Sequence, residues 1–390
     1  DRFPQAVGLV RLHAGATELG REQAADGREG RQVGVGQHVA EGEVRAHVVG
    51  VAPPQVANGS HWFGLHAAVV KGTHFTVRVH RGTADVAVGR GLVQVDALAH
   101  SRADNVGVVI AGVSRAEGNL QSTASVIGLA GGAGDDAVLN TGAGRLQVAA
   151  DAFATMNGTS FAFAGSAPTL ATVNADATAV GLSGGSGANL LKNDGMADVA
   201  ARSRLDVTGA GTAIFGGASA GSNVTASATA TGIDGGDDGD AIANRGTMSV
   251  SAAATLNATS TSFGFGNAHS NDVLFSVSNA SGVNAGAGDN LVINDGTLSV
   301  DAGATLAAGG GATTAFGNTS AAATVTARTH AIGIAAGGGN DKLAIGVDGR
   351  LTVTGHLAAG ADASAAPGAV WVDGKAVSSA SAESSAIGID

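Results

Sequence analysis

Along residues 107–390 the apolar positions recur with a period near fifty residues, and within each period they alternate with polar ones. A Gly followed by an aliphatic heads each block: Gly128-Leu129, Gly181-Leu182, Gly232-Ile233, Gly282-Val283, Gly333-Ile334 and Gly388-Ile389. The steps between those glycines are 53, 51, 50, 51 and 55 residues. A bulky apolar residue stands 17 or 18 positions ahead of each head: Ile110, Phe163, Phe215, Phe265, Phe316 and Trp371. Each head leads into a Gly-rich turn and then a short strand carrying Val138, Leu190-Leu191, Ile242, Leu291 and Ile293, or Leu343. Four of these strands close on Asn140, Asn193, Asn244 and Asn294; the fifth has Ile345 and Val347 instead. The next strand alternates, with Leu146/Val148, Leu205/Val207, Met248/Val250, Leu298/Val300 and Leu351/Val353 on one face. One-in, one-out alternation is the mark of a half-buried strand, and no segment carries a helical apolar stripe.

Strands at fixed spacing, joined by turns, predict an all-β, right-handed parallel β-solenoid (β-helix) of five repeats of about 51 residues. The strand signals within one block exceed what one three-sided turn of ordinary strands would hold, so two rungs per repeat are expected. Asn at a repeated turn position predicts a ladder of side-chain amides along the axis. The repeat-locked aromatics Phe163, Phe215, Phe265 and Phe316 are expected as an interior column that Trp371 continues. The alternative for the same residues is an exposed strip that binds sugars.

Composition narrows the class. The chain has 63 glycines, no cysteine and no tyrosine, so disulfides and thiolate metal sites are excluded and a thin, small-residue interior is favoured. No apolar run reaches the roughly 20 residues that span a bilayer. Residues 121–390 carry 9 Lys/Arg against 21 Asp/Glu, a surface that repels nucleic acid and anionic membranes. Residues 1–120 hold 12 Lys/Arg, 11 Asp/Glu and 8 of the 11 histidines. The chain opens at Asp1 without an initiator Met and stops inside a motif at Gly388-Ile389-Asp390, so it reads as an internal piece of a longer protein with its targeting elements elsewhere.

Candidate chemistry sits in the Gly-rich turns. The segment from Gly131 to Leu139, GGAGDDAVL, fits the calcium-binding nonapeptide GGxGxDxUx of RTX proteins. Asp136, Asp240 and Asp341 occupy the ligand position as carboxylates; Asn189 and Asn290 stand there in the other two blocks, and Asp238 replaces a turn Gly. Residues 107–390 as a whole resemble the repeats of large secreted adhesins of Gram-negative bacteria, autotransporter passengers among them. That resemblance implies an elongated stalk at the cell surface and, through the RTX-like turns, calcium held between successive turns. Spacing limits the calcium reading. One rung per repeat would set equivalent carboxylates about 4.8 Å apart and favour a bridging cation, whereas two rungs would set them about 9.6 Å apart and require none.

Residues 1–106 do not share the period and are assigned to an N-terminal region, either a cap for the solenoid or a stretch without a selected fold; 107–390 form the array. His61, His66, His74 and His80 match no zinc spacing. Three functions follow, in order. The first is a structural and adhesive segment of a secreted or cell-surface protein, partnered by a host-cell or matrix receptor, a glycan or its own copies, without nucleic acid, and anchored through parts outside this chain. The second is a calcium-binding RTX-type module of a secreted toxin or enzyme. The third is a β-helix polysaccharide lyase or epimerase, which would need carboxylates converging with Lys, Arg or His; Lys192, Lys342 and Arg245 stand at unmatched offsets, so no enzyme activity and no obligatory cofactor are expected.

Overall fold

The computed structural model describes residues 44–49, 61–80, 83–367 and 373–390, with side chains for 91–366 and 373–390. Every element in it is a β-strand. From Thr83–Val113 to Gly374–Ile389 the strands pair in parallel, each with its counterpart in the neighbouring block. Asn244 lies between Asn193 and Asn294, and Ser276 lies between Ala226 and Ala327. The chain is therefore a parallel β-solenoid, and one repeat forms one rung.

The expectation of two rungs per repeat is thus corrected. Its premise was ordinary strand length, and these sides are far longer. In the rung from residue 297, the first long side is Thr297–Thr314 (18 residues), the second is Thr319–Ala335 (17 residues) and a short side, Lys342–Ile345, closes the loop. Unbroken alternation along such sides uses up the fifty residues in a single circuit. In two earlier rungs the corner between the long sides does not interrupt pairing, and Ala137–Ser186 and Met196–Asp237 each run on as one strand.

The two long sides face each other across a wedge. At the end beside the short side, Leu146, Met248, Leu298, Ile233, Ile242 and Ile334 are fully buried. At the other end the inward positions are Ala162, Ala167, Ala213 and Ala218, then Ala268, Ala312 and Ala321. Serines bridge the two long sides, at mid-length near the buried Leu205, Leu256 and Leu274 and, towards the alanine end, at Ser270. The Ser203 hydroxyl donates to the Ala175 carbonyl at 2.9 Å, Ser278 to Gly303 at 2.6 Å and Ser270 to Ser260 at 2.9 Å.

The head glycines follow from the same crowding. Pairing passes from Ser281 to Val283 and skips Gly282, so the alternation slips by one and both Gly282 and Val283 face inward. A Cβ on Gly282 would stand 2.8 Å from a Leu298 methyl and collide with the Gly333 carbonyl of the next rung. Only a residue without a side chain fits that approach.

Parallel pairing begins at Asp85, opposite Ala137, so the first rung draws on both sides of the 106/107 boundary. Along Thr83–Arg102 its outer edge is covered by His61–His80, which runs antiparallel and pairs in turn with Val44–Val49. Covering an edge in this way occupies backbone groups that would otherwise template further strands. The side chains of His61, His66, His74 and His80 lie outside the described residues, as does Trp371.

Candidate functional site

Two edges of the rod carry the repeat-locked polar and aromatic residues. The first is the Gly-rich corner between the second long side and the short side. Asp136, Asn189, Asp240, Asn290 and Asp341 stack there in one column, each acting on its neighbour. The Asp136 N–H donates to Asn189 Oδ1 (3.0 Å), Asn189 N–H to Asp240 Oδ1 (2.7 Å), Asp240 N–H to Asn290 Oδ1 (2.9 Å) and Asn290 N–H to Asp341 Oδ1 (2.8 Å). An outer set does the same for exposed turn amides: Asp135 accepts from Ala188 N–H and Asp289 from Asn340 N–H, both at 2.8 Å. These carboxylates cap turns.

The three carboxylates expected to hold calcium do not come together. Asp136, Asp240 and Asp341 lie on alternate rungs, about 9.6 Å from one to the next, with an amide between each pair. Adjacent carboxylates at one-rung spacing would repel by about 1 kcal/mol in water and about 4 kcal/mol at an effective dielectric of 20; alternation with Asn removes that contact. The inner oxygens are also turned away from solvent. A Cβ on Gly235 would lie 2.6 Å from Asp240 Oδ2, and one on Gly131 would lie 2.7 Å from Asp136 Oδ2, so both oxygens sit beneath glycine backbone. Burial pushes the Asp240 carboxyl above the usual range; Asn189 pulls it back, and Asp238 and Asp234 push it up again. Asp234 is likewise raised by burial, against a hydrogen bond from Asn284. Among the described residues no three His, Asp or Glu side chains form a metal-holding group. At the neighbouring corner Lys192 pairs with Asp194 (2.6 Å) and Arg245 with Asp295 (3.7 Å), away from the capping carboxylates.

Further inside, Asn140, Asn193, Asn244 and Asn294 form the expected amide ladder. Each Nδ2 donates to the next Oδ1, at 2.7, 2.8 and 2.7 Å, and all four residues are buried. The ladder stops where Ile345 takes the place of Asn.

The second edge is the corner between the two long sides, and here the expectation is overturned. Phe163, Phe215, Phe265 and Phe316 are not an interior column. They are 49, 60, 37 and 66 % exposed, and Ile110 at the same corner is 80 % exposed. The cause is volume. The interior at this end is one alanine or serine wide, so alternation turns Ala162 and Ser262 inward and their neighbours Phe163 and Phe263 outward. The rings stack along the edge, with centroids 5.4 Å apart for Phe163–Phe215 and 6.3 Å for both Phe215–Phe265 and Phe265–Phe316. Successive tilts of 40° and 41° keep the last three in a regular run, and Phe263 joins it edge-on. No Lys, Arg, Asp or Glu occurs in residues 152–175, 207–233, 246–271 or 302–327, the stretches that make this corner in four rungs.

One carboxylate departs from the repeat. Asp272 points inward from the second long side, completely buried. It accepts from the Ser222 hydroxyl at 2.5 Å and from the Ser260 hydroxyl, both on the same oxygen. Its other oxygen has no hydrogen-bond partner among the described residues, and burial raises its pKa. Asp272 closes the polar run His269-Ser270-Asn271-Asp272, in which Ser270 and Asp272 face inward. Ala171, Ser222 and Ala323 occupy its column on neighbouring rungs. Compared with known proteins, the chain matches no family model, no curated protein and no solved structure.

Proposed function

We propose that this chain is a structural and adhesive segment of a secreted or cell-surface bacterial repeat protein. It projects as a stiff rod and presents the phenylalanine edge as its contact surface. The observation that carries this reading is the run of exposed rings on a charge-free corner, repeated over four rungs. Folding does not require the rings to be outside as such; a small polar residue would fill the same outward position without exposing apolar area to water. The receptor, matrix or glycan partner meets that edge, and anchoring falls to parts outside this chain.

The calcium-responsive reading draws on the GGAGDD corner and its stacked carboxylates. Against it stand the Asp/Asn alternation and the engagement of the ladder oxygens by backbone N–H groups. Against the enzyme reading, two of its three candidate cations, Lys192 and Arg245, are each paired with an aspartate away from the capping carboxylates.

The test is display of the full chain on a non-adherent bacterium. Adhesion to matrix-coated or cell-coated surfaces, lost with F215A/F265A/F316A at equal display, is the expected result. A displayed chain that confers no adhesion would remove the proposal.

A further inference from the structure

We infer that the phenylalanine edge binds a neutral, extended, β-linked polysaccharide laid parallel to the rod axis, roughly one sugar to a rung. This inference rests on the adhesive reading of the same edge and adds the ligand class.

Three observations select it. The first is width. A fully exposed aromatic ring offers about 150–250 Å². At the exposures found, four rings present roughly 400 Å², about half of what one partner contributes to a standard protein interface. A globular partner or a second copy would need flanking apolar area. Beside the rings stand the exposed Thr261, Asn267, Thr313 and Asn318, and the further exposed apolar residues at the corner, Phe263 and, in the first rung, Ile110 and Val113, leave the strip only one or two residues wide. The edge suits a thin linear occupant.

The second is charge. Stacked rings also serve single-stranded nucleic acids, but those sites add a basic groove to hold the phosphates. Here the ring-bearing corner has no charged residue in four rungs, and the array around it has 9 Lys/Arg against 21 Asp/Glu. A polyanion, whether nucleic acid or uronic acid polymer, would be repelled. A neutral chain meets no such penalty.

The third is register. The rings recur once per rung, on a backbone rise of about 4.8 Å, with centroids 5.4 to 6.3 Å apart because successive rings are also offset sideways. An extended β-linked hexopyranose chain advances by nearly that step per sugar. Its apolar C–H faces carry the partial positive charge that the negative face of a phenyl ring attracts. The hydroxyl edges of the sugars would reach the Thr and Asn side chains beside the rings.

The experiment is titration calorimetry of the full chain with cellobiose through cellohexaose, with polygalacturonate and maltohexaose as comparisons. Affinity is expected to climb with chain length until the four rings are spanned and then level off. F215A/F265A/F316A is expected to weaken binding by about tenfold or more while its strand spectrum and cooperative unfolding are retained. No binding of any cello-oligosaccharide, binding undiminished in the variant, or equal binding of polygalacturonate or maltohexaose would each overturn the inference. So would variant-sensitive binding of phosphatidylcholine vesicles, or variant-sensitive dimers in sedimentation, without sugar binding. If displayed chains adhere through the rings while no oligosaccharide binds, the ligand class fails and the adhesive reading stands. If neither occurs, both fail.

Discussion

The two edges of this rod use the same device, a residue repeated once per rung, for opposite ends. At the Gly-rich end the repeated residues are inside. Asn140 to Asn294 and the Asp136 to Asp341 column spend their polar atoms on one another and on turn amides. At the alanine-lined end the repeated residues are outside, and Phe163 to Phe316 spend only part of their surface on one another. The difference comes from the width of the wedge. Where Leu, Ile and Met hold the long sides apart, a buried amide column fits. Where Ala and Ser let the sides meet, no ring can enter. Periodicity thus marks a column as structurally fixed, and the volume of its neighbours decides whether it is scaffold or surface.

The sharpest way to break that comparison is to remove a rung from the buried ladder. Asn244→Ala takes from Asn193 Nδ2 the shorter of its two hydrogen bonds, leaving the Thr247 carbonyl at 3.4 Å, and takes from Asn294 Oδ1 its donor. A stranded buried group costs about 1–3 kcal/mol and a lost hydrogen bond about 1 kcal/mol, so a loss of about 2–4 kcal/mol is expected in denaturant unfolding. A loss below about 0.5 kcal/mol, the range of an exposed position, would mean that the ladder is ornamental.

Next comes pH, which separates a proton-tuned scaffold from a calcium-tuned one. Asp240, Asp234 and Asp272 all have pKa values raised chiefly by burial. The folded state therefore binds more protons than the unfolded chain between the ordinary carboxylate value, about 3.9, and the raised ones. Stability should fall as pH climbs through that window and stay lower above it, so melting at mildly acid pH should exceed melting at neutral pH. Calcium held by these carboxylates would reverse the sign, because protonation would expel the ion. Asp272→Ser, which places a second hydroxyl in a column that already contains Ser222, should flatten part of the profile and raise neutral-pH stability. An unchanged profile in that variant would acquit Asp272.

A smaller effect sharpens the account of the Gly-rich corner. Asp238 is the one non-Gly residue with a positive φ, 72°, among the described residues, in a column otherwise made of Gly134, Gly187, Gly288 and Gly339. Asp238→Gly relieves a strain of about 1 kcal/mol and gives up a 3.2 Å hydrogen bond from Gly187 N–H. Thermal melting should stay level or rise slightly. A clear drop would give that exposed bond more weight than the backbone strain.

Much of this architecture was legible in the residues. The period, the all-β class, the parallel stacking and the Asn140–Asn294 ladder follow from spacing alone, because identical residues in register must meet. Rung number was not legible. Alternation continues unchanged along an 18-residue side, and nothing in it announces that a side has not yet ended. The placement of the phenylalanines failed for a different reason. Hydrophobicity argues for burial, but Phe163 alternates with Ala162, and only one of two neighbours on a strand can face in. The signal was available in the run of Ala, Gly and Ser around Phe163, Phe215 and Phe316, whose small inward side chains imply an interior too thin for a ring. The inward turn of Asp272 had no signal of its own, since its burial is set by the alternation of a strand whose start was not visible.

The comparison stands or falls on whether the phenylalanines are outside. The direct measurement is the thermal melt of the full chain against F215A/F265A/F316A. Half-exposed rings lose only their packed portion on truncation, about 1 kcal/mol apiece, so the variant should melt modestly below the parent while adhesion is lost. Interior rings would cost about 3–5 kcal/mol apiece. A variant that melts far below the parent, or fails to fold, would put the column back in the core and leave the rod without its proposed surface.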